Sequence, residues 1–190
     1  MVSAFKFTEL ELSGAFLIEP FSSDDLRGSF VKDYSDNLFL ENGIDHKIKE
    51  LFYTISKKGV IRAIHFQEIH HQPKLVRCIS GKVFDVIVDL RPQSPTFKKW
   101  LGFYLTGENK KELYIPGHFG HGYLVLEDAI VSYKCSESFD SKNDSGIKFD
   151  DPDLNIIWPF HEIGGKQNLI ISEKDKDLQT FKKYLSGNCK

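Results

Sequence analysis

Residues 13–136 read as a succession of short β-type runs separated by turn residues, with almost no helical periodicity between them. That pattern constrains the fold more than any other feature, because strands so closely spaced leave no room for the crossover helices that parallel sheets require. The runs cover residues 13–20, the stretch after a turn at 24–28, then 48–56, 60–66, 74–79, 82–90, 98–105, 112–115, 122–126 and 129–136. Ser80-Gly81 has the form of a two-residue hairpin turn, and Lys57-Lys58-Gly59 that of a second hairpin. Ser35 is placed to cap a short helix over residues 35–41, with Leu38 and Phe39 on its apolar face and Asn42-Gly43 as its stop. A C-terminal helix is predicted over 175–185 from Leu178, Phe181, Tyr184 and Leu185. The expected class is all-β, an antiparallel sandwich or barrel with a few short helices.

Composition narrows the function classes. With 190 residues, 41% hydrophobic, and 16 phenylalanines, the chain reads as one globular domain over 1–190, not a disordered one. Lys plus Arg is 25 against 27 for Asp plus Glu, a net charge of −2. No basic stripe recurs on any face, so no nucleic-acid partner is expected. The start MVSAFKFTELELSG lacks a cationic, apolar leader and no run is long enough to span a bilayer, which predicts a cytoplasmic protein without a membrane partner. Cys78, Cys135 and Cys189 have no metal or redox spacing and read as reduced thiols, two of them in strands.

Within residues 59–89, Arg62, His65, Lys74 and Asp85 interrupt runs that otherwise look like sheet interior. Burying such groups without partners costs several kcal/mol, so this stretch reads as the wall and floor of an active site. With a hairpin at Ser80-Gly81, Lys74 and Asp85 become diagonal neighbours on a face shared with Val76, Cys78, Val83 and Ile87, too apolar for open water. His65 shares parity with Ile61, Ala63 and Gln67, and Tyr133 with Ala129, Val131 and Cys135. Singly, each reads as a packed core residue; together they suggest chemistry.

Gly59 followed by His65, and later Pro116-Gly117-His118-Phe119-Gly120-His121, match the two halves of the metal-binding pattern of single-barrel cupin enzymes. The ligand set is incomplete, since Gln67 stands where a second histidine belongs and Glu68 comes too early; a neutral amide is a poor ligand for a transition metal. The pattern therefore reads as a barrel with no metal, a metal-dependent cupin enzyme being the weaker alternative. His70-His71 beside Gln72-Pro73 read as a solvated loop.

The segments GVIRAIHFQ, KLVRCISGKVFDVIVDLR, SPTFKKW, YIPGHFGHGYLVL, SYKC and DDPDLNIIWP, in this order, resemble the dTDP-4-dehydrorhamnose 3,5-epimerase family over roughly residues 25–175. The resemblance implies a cofactor-free, metal-free cupin-like jelly roll with a C-terminal tail and helix over 160–190. It also implies a homodimer whose N-terminal strands, within 1–35, are exchanged with the partner. The implied reaction inverts C3, with or without C5, of a nucleotide-linked 4-keto-6-deoxy sugar, in deoxysugar biosynthesis for surface polysaccharide. His65 matches the base and Asp175 the carboxylate that orients it, with Asp177 as the nearby alternative. Lys74 matches the residue that stabilises the enolate, and Tyr133 the acid on the opposite face. Arg27, reaching a partner's site, and Arg62 and His121 match positions that hold the diphosphate. Asp85 is expected to keep Lys74 charged, and Gln67, Glu50 and Phe139 to lie on the substrate side. Simple alternation puts Arg62 and His65 on opposite faces, so both reach one pocket only if the strand bulges near Ala63. Two departures stand out: Glu50-Leu51-Phe52 replaces the Gln-Asp/Glu-Asn of thymidine-sugar relatives, and Phe139 replaces a tyrosine. They leave a dTDP-hexose as the first expectation and a GDP- or CDP-linked hexose or heptose as the alternative.

Overall fold

In the computed structural model, which describes residues 2–187, the chain runs β1 (Val2–Ser3), β2 (Lys6–Glu9), β3 (Phe16–Glu19), β4 (Phe21–Asp25), β5 (Gly28–Lys32), α1 (Asp36–Glu41), β6 (Glu50–Ser56) and β7 (Ile61–Gln67). It continues through β8 (Lys74–Asp89), β9 (Trp100–Thr106), β10 (Glu112–Ile115), β11 (Phe119–Cys135), β12 (Asp144–Gly146), α2 (Glu173–Lys176) and α3 (Phe181–Gly187). The long strands β8 and β11 pair antiparallel from Phe119↔Asp89 to Cys135↔Lys74 and form a spine. At one end of the spine β7 flanks β11 and β12 adds on beyond β7, while β9 flanks β8. At the other end β6 flanks β11, and β10, β3 and β2 extend from β8. The two half-sheets enclose one core, in which Val76, Cys78 and Leu113 meet Val83, Leu105, Val125 and Val131. This is the expected antiparallel jelly roll. Among the described residues, no helix is long and apolar enough to cross a membrane.

Three expected breaks turn out differently. Ser80-Gly81 is not a hairpin: β8 passes straight through it, and the register against β11 shifts there. Gly81 adopts φ +78°, and a Cβ on it would stand 2.0 Å from the Asp128 carbonyl oxygen, so β8 and β11 bend around each other at a point only glycine can occupy. The bend changes which positions face inward, from Val76 and Cys78 before it to Val83 and Ile87 after it. Lys74 and Asp85 therefore share the inner face, by a kink within one strand instead of a turn between two. Likewise residues 122–126 and 129–136 are parts of the single strand β11. Lys57-Lys58-Gly59 is not a hairpin either, because β6 and β7 both run antiparallel to β11 and so run in the same direction. The chain steps from one half-sheet to the other there.

Beyond β12 the chain covers the outer face of β7 and β8, where Trp158, Ile163 and Phe181 pack on Ile64, Phe84 and Val86. The predicted helix over 175–185 is broken. Lys148 N donates to the Gln179 carbonyl, which draws the chain out between α2 and α3. The Asp151 carboxylate then caps the start of α3 by accepting from Phe181 N at 2.9 Å. Ser35 and Asn42 bound α1 as expected; the Ser35 side chain makes no cap, whereas Asn42 Nδ2 donates to the Leu38 carbonyl at 2.8 Å. Phe39 of this helix is fully buried against Ile18, Ile44 and Leu75. Among the described residues the β4–β5 hairpin pairs only with β1 and forms a separate small sheet, with Leu26 and Phe30 exposed. Cys78 and Cys135 are buried free thiols; Cys189 lies outside the described residues.

Candidate active site

The cavity of about 560 Å³ opens at the end of the roll where β6, β7, β8 and β11 converge. His65, Lys74, Tyr133 and Asp175, taken from four separate segments, all line it, with Arg62, Gln67, His121 and Phe139. Arg62 and His65 share this wall because β7 carries one extra residue there: His65 lies opposite His121, but Arg62, three residues earlier, lies opposite Tyr123. The bulge sits at Ala63–Ile64, where the peptide bond is cis. It is seated on Gly122, where a Cβ would come within 2.6 Å of Ala63 Cβ and of the Arg62 carbonyl oxygen.

His65 Nε2 is 3.2 Å from Asp175 Oδ1. Asp175 belongs to the first turn of α2, where its N–H donates to Ser172 Oγ at 3.1 Å. Burial pushes the Asp175 carboxyl up, but hydrogen bonds from His65, Ser172 and the Ala63 backbone outweigh it and leave the group below its ordinary value. The alternative, Asp177, is an exposed residue at the end of α2. With the Nε2 proton directed at this carboxylate, Nδ1 of a neutral His65 carries the free lone pair.

Lys74 stands opposite Cys135 at the start of β8. Among the described residues its ammonium has no hydrogen-bond or ion-pair partner. Burial lowers its pKa, against the opposing pull of Cys135, Asp144 and Asp85. Asp85 makes no direct bond to Lys74, though its charge favours the protonated lysine. It is fully buried behind the cavity wall and bonded through both oxygens to His121 Nε2, at 3.0 and 2.9 Å. Burial raises the Asp85 pKa in spite of His121 and Lys74.

Tyr133 is buried, and burial first, with Tyr123 and Asp85 adding to it, raises its phenol well above 10. It remains the protonated form across neutral pH.

The remaining substrate-side candidates differ in their surroundings. The Gln67 amide lines the cavity but is spent on the backbone, donating to the His70 carbonyl at 2.7 Å and accepting from Asp140 N at 2.7 Å. Glu50 lies outside the lining and accepts from Phe139 N at 3.1 Å. Arg27 sits on the tip of the β4–β5 hairpin, paired with Asp25 at 2.6 Å and away from this cavity. His71 is half-buried and not in open solvent; its ring lies beside that of His118, with centroids 3.4 Å apart and planes tilted by 34°. Among the described residues, no group of three or more His, Cys, Asp or Glu side chains could hold a metal ion.

Phe52, already marked in the sequence as a departure from thymidine-sugar relatives, lines the cavity; sequence reasoning missed Thr54, Tyr123, Asp144 and Lys174, which line it too. Tyr123 was legible, as it shares parity with His121 and Tyr133 on one strand. The Lys174–Asp144 contact joins α2 to β12 and leaves no sequence signal.

Comparison with known proteins places this geometry. The family model described as dTDP-4-dehydrorhamnose 3,5-epimerase matches residues 9–183. The dTDP-4-dehydrorhamnose 3,5-epimerase of Methanothermobacter thermautotrophicus is 42% identical over 182 residues, covering 95% of this chain and 97% of that one. The crystal structure of the enzyme of the same name from Elizabethkingia anophelis superimposes with a TM-score of 0.88 at 37% identity, covering 94% of this chain and 97% of that one. The dTDP-6-deoxy-D-glucose-3,5-epimerase of Legionella pneumophila, solved in complex with dTDP-4-keto-L-rhamnose, gives a TM-score of 0.87 at 34% identity, with 93% of each chain covered. Match and fold extend over nearly the whole molecule, and the chain belongs to the dTDP-4-dehydrorhamnose 3,5-epimerase family.

Proposed function

We propose that this protein epimerises a dTDP-linked 4-keto-6-deoxyhexose at C3 and C5 through an enolate. A hydrogen next to a ketone is acidic because its carbanion is delocalised onto the oxygen. Catalysis therefore needs a base, a positive group at that oxygen, and an acid on the far face of the ring. His65 takes the proton on Nδ1 and shares the resulting charge with Asp175. Lys74, a cation with no competing partner among the described residues, stabilises the enolate oxygen. Tyr133, kept protonated by burial, returns a proton from the opposite face. Arg62 and His121 bind the diphosphate side, and Arg27 of a second copy completes it. The reading rests above all on one observation: His65, Lys74, Tyr133 and Asp175, far apart in the chain, line the same cavity.

In heavy water the protein is expected to introduce deuterium at C3 and C5 of a dTDP-4-keto-6-deoxyhexose, detected by NMR. His65→Ala should abolish exchange at both carbons; wild-type exchange in that variant would sink the base assignment. Phe52 lines the cavity where thymidine-sugar relatives carry an amide, and Phe139 lines it where they carry a tyrosine with its hydroxyl. For that reason GDP- and CDP-linked 4-keto sugars belong in the same assay, and faster exchange with either would replace dTDP in the assignment. Exchange at C3 alone would reduce the reaction to a single inversion.

A further inference from the structure

Phe52 has no place in the core of the roll. It lies on β6, an outer strand of its half-sheet, and is 40% exposed. In the register of β6 on β11 it is directly opposite Tyr133. The two rings are stacked, with centroids 4.8 Å apart and planes 13° from parallel. Tyr133 also makes an edge-type contact with the His121 ring, at 5.9 Å and 71°. His121 is itself fixed by Asp85. Two residues along β6, Thr54 Oγ1 lies 2.8 Å from the Tyr123 hydroxyl. The inward side chains of β6 thus hold both tyrosines of the cavity.

We propose that Phe52 is a positioning residue, which fixes the Tyr133 phenol in the one orientation from which it can return a proton to the substrate carbon. This rests on the reading of Tyr133 as the proton donor. An acid acting on carbon is effective only from a narrow range of positions, and a displacement of about 1 Å costs on the order of a hundredfold in rate. Stacking restricts the ring without adding a polar group that could compete for its hydroxyl. Without Phe52, one face of the phenol opens to the cavity and other rotamers become accessible.

The test compares Phe52→Leu and Phe52→Ala with Phe52→Tyr, which keeps the ring. In protein carrying ¹³C-labelled tyrosine rings, with the Tyr133 signals assigned by their loss in Tyr133→Phe, removal of the Phe52 ring should shift those signals downfield as ring-current shielding is lost. Phe52→Tyr should restore them. On dTDP-4-keto-6-deoxyhexose, Phe52→Ala should lower kcat for net epimerisation about three- to tenfold, the worth of one aromatic pair. Proton abstraction, read as wash-in of deuterium at the carbon served by His65, and KM should stay near wild type. In the Tyr133→Phe background the same substitution should have no further effect on kcat. An unmoved Tyr133 signal, an equal loss of abstraction and turnover, or a full additional loss on top of Tyr133→Phe would each overturn the proposal. Phe52→Leu keeps an apolar side chain on β6, so a folding defect confined to the alanine variant leaves the test intact. A wild-type protein that exchanged hydrogen in no nucleotide sugar would overturn the functional reading instead, and the ring signals would still decide whether Phe52 holds Tyr133.

Discussion

Lys74 brings a charge into an apolar wall, and its situation couples stability to catalysis. Burial depresses its pKa below the ordinary 10.5. The folded chain therefore gives up this proton at lower pH than the unfolded chain, which still binds it. Between the two pKa values the unfolded state binds more protons, so stability rises with pH across that window and the charged form costs stability below it. Lys74→Met, similar in length and uncharged, is expected to raise Tm at neutral pH by about 2–4 °C for each kcal/mol recovered. The gain should shrink as pH climbs through the folded pKa of Lys74. The same variant should lose about a hundredfold or more in kcat, because the enolate oxygen has lost its cation. A lower Tm would show that Lys74 is held by interactions that outweigh its burial. In the wild type, Lys74 should account for the first alkaline loss of activity, since burial holds Tyr133 protonated to well above 10. The lysine was visible in sequence as a charge among strand residues; the absence of a direct partner was not. Strand parity is local, whereas the Asp85–His121 pairing arises between two strands 36 residues apart.

At the scale of elements, the site depends on two irregularities in otherwise regular strands. One is the bulge of β7 that turns Arg62 and His65 to the same side; the other is the bend of β8 and β11 at Gly81. Both are closed over glycines with no room for a side chain. Gly122→Ala should destabilise the fold by about 1–3 kcal/mol through overpacking on Ala63. It should lower activity beyond that loss, because the displaced bulge carries His65. Gly81→Val combines a left-handed φ with a clash against the Asp128 carbonyl and should cost roughly 3 kcal/mol or more. Thermal unfolding and deuterium exchange on the same preparations separate the two effects; a Gly122→Ala protein with unchanged Tm and exchange would show that the bulge has room to give. The need for a bulge near Ala63 was legible, since two functional residues of opposite parity demanded it. The hairpin at Ser80-Gly81 was misread, because a glycine with positive φ serves a turn and a kink equally well and only the partner strand distinguishes them.

At the scale of the whole molecule, the single chain leaves apolar side chains uncovered. The β4–β5 hairpin stands apart from the main sheet with Leu26 and Phe30 exposed, and Leu51, Tyr53 and Ile55 on β6 are also open to solvent. Exposed apolar groups on this scale suit an interface between copies. The proposed exchange of the N-terminal strands would cover them and carry Arg27 toward a neighbouring cavity. Arg27→Ala and His65→Ala, each expected to be impaired alone, should therefore complement one another. In a mixed dimer, one site has both an intact His65 and the partner's intact Arg27, so unfolding and refolding the two variants together should restore activity. Mixtures no more active than the separate variants would place Arg27 in the site of its own chain, or in none.

The sequence by itself determined the class of fold, the family and the residue types available for chemistry. Strand spacing, turn residues and ordered motifs are all local signals along the chain. His65, Lys74 and Tyr133 were recognisable because titratable groups in apolar strands are costly unless used. Only the tertiary structure decided which of them meet. Asp175 rather than Asp177 reaches His65 because Ser172 caps the short turn of α2 and aims the first inward. Asp85 belongs to His121 because the register of β8 on β11 sets Tyr123 opposite Asp85 and so makes His121 its diagonal neighbour on the same face. Gln67 is taken by the loop after β11, and Phe52 by Tyr133. Each of these outcomes is fixed by a contact between segments remote in sequence, where register, bulge and burial act together and no local pattern records the result.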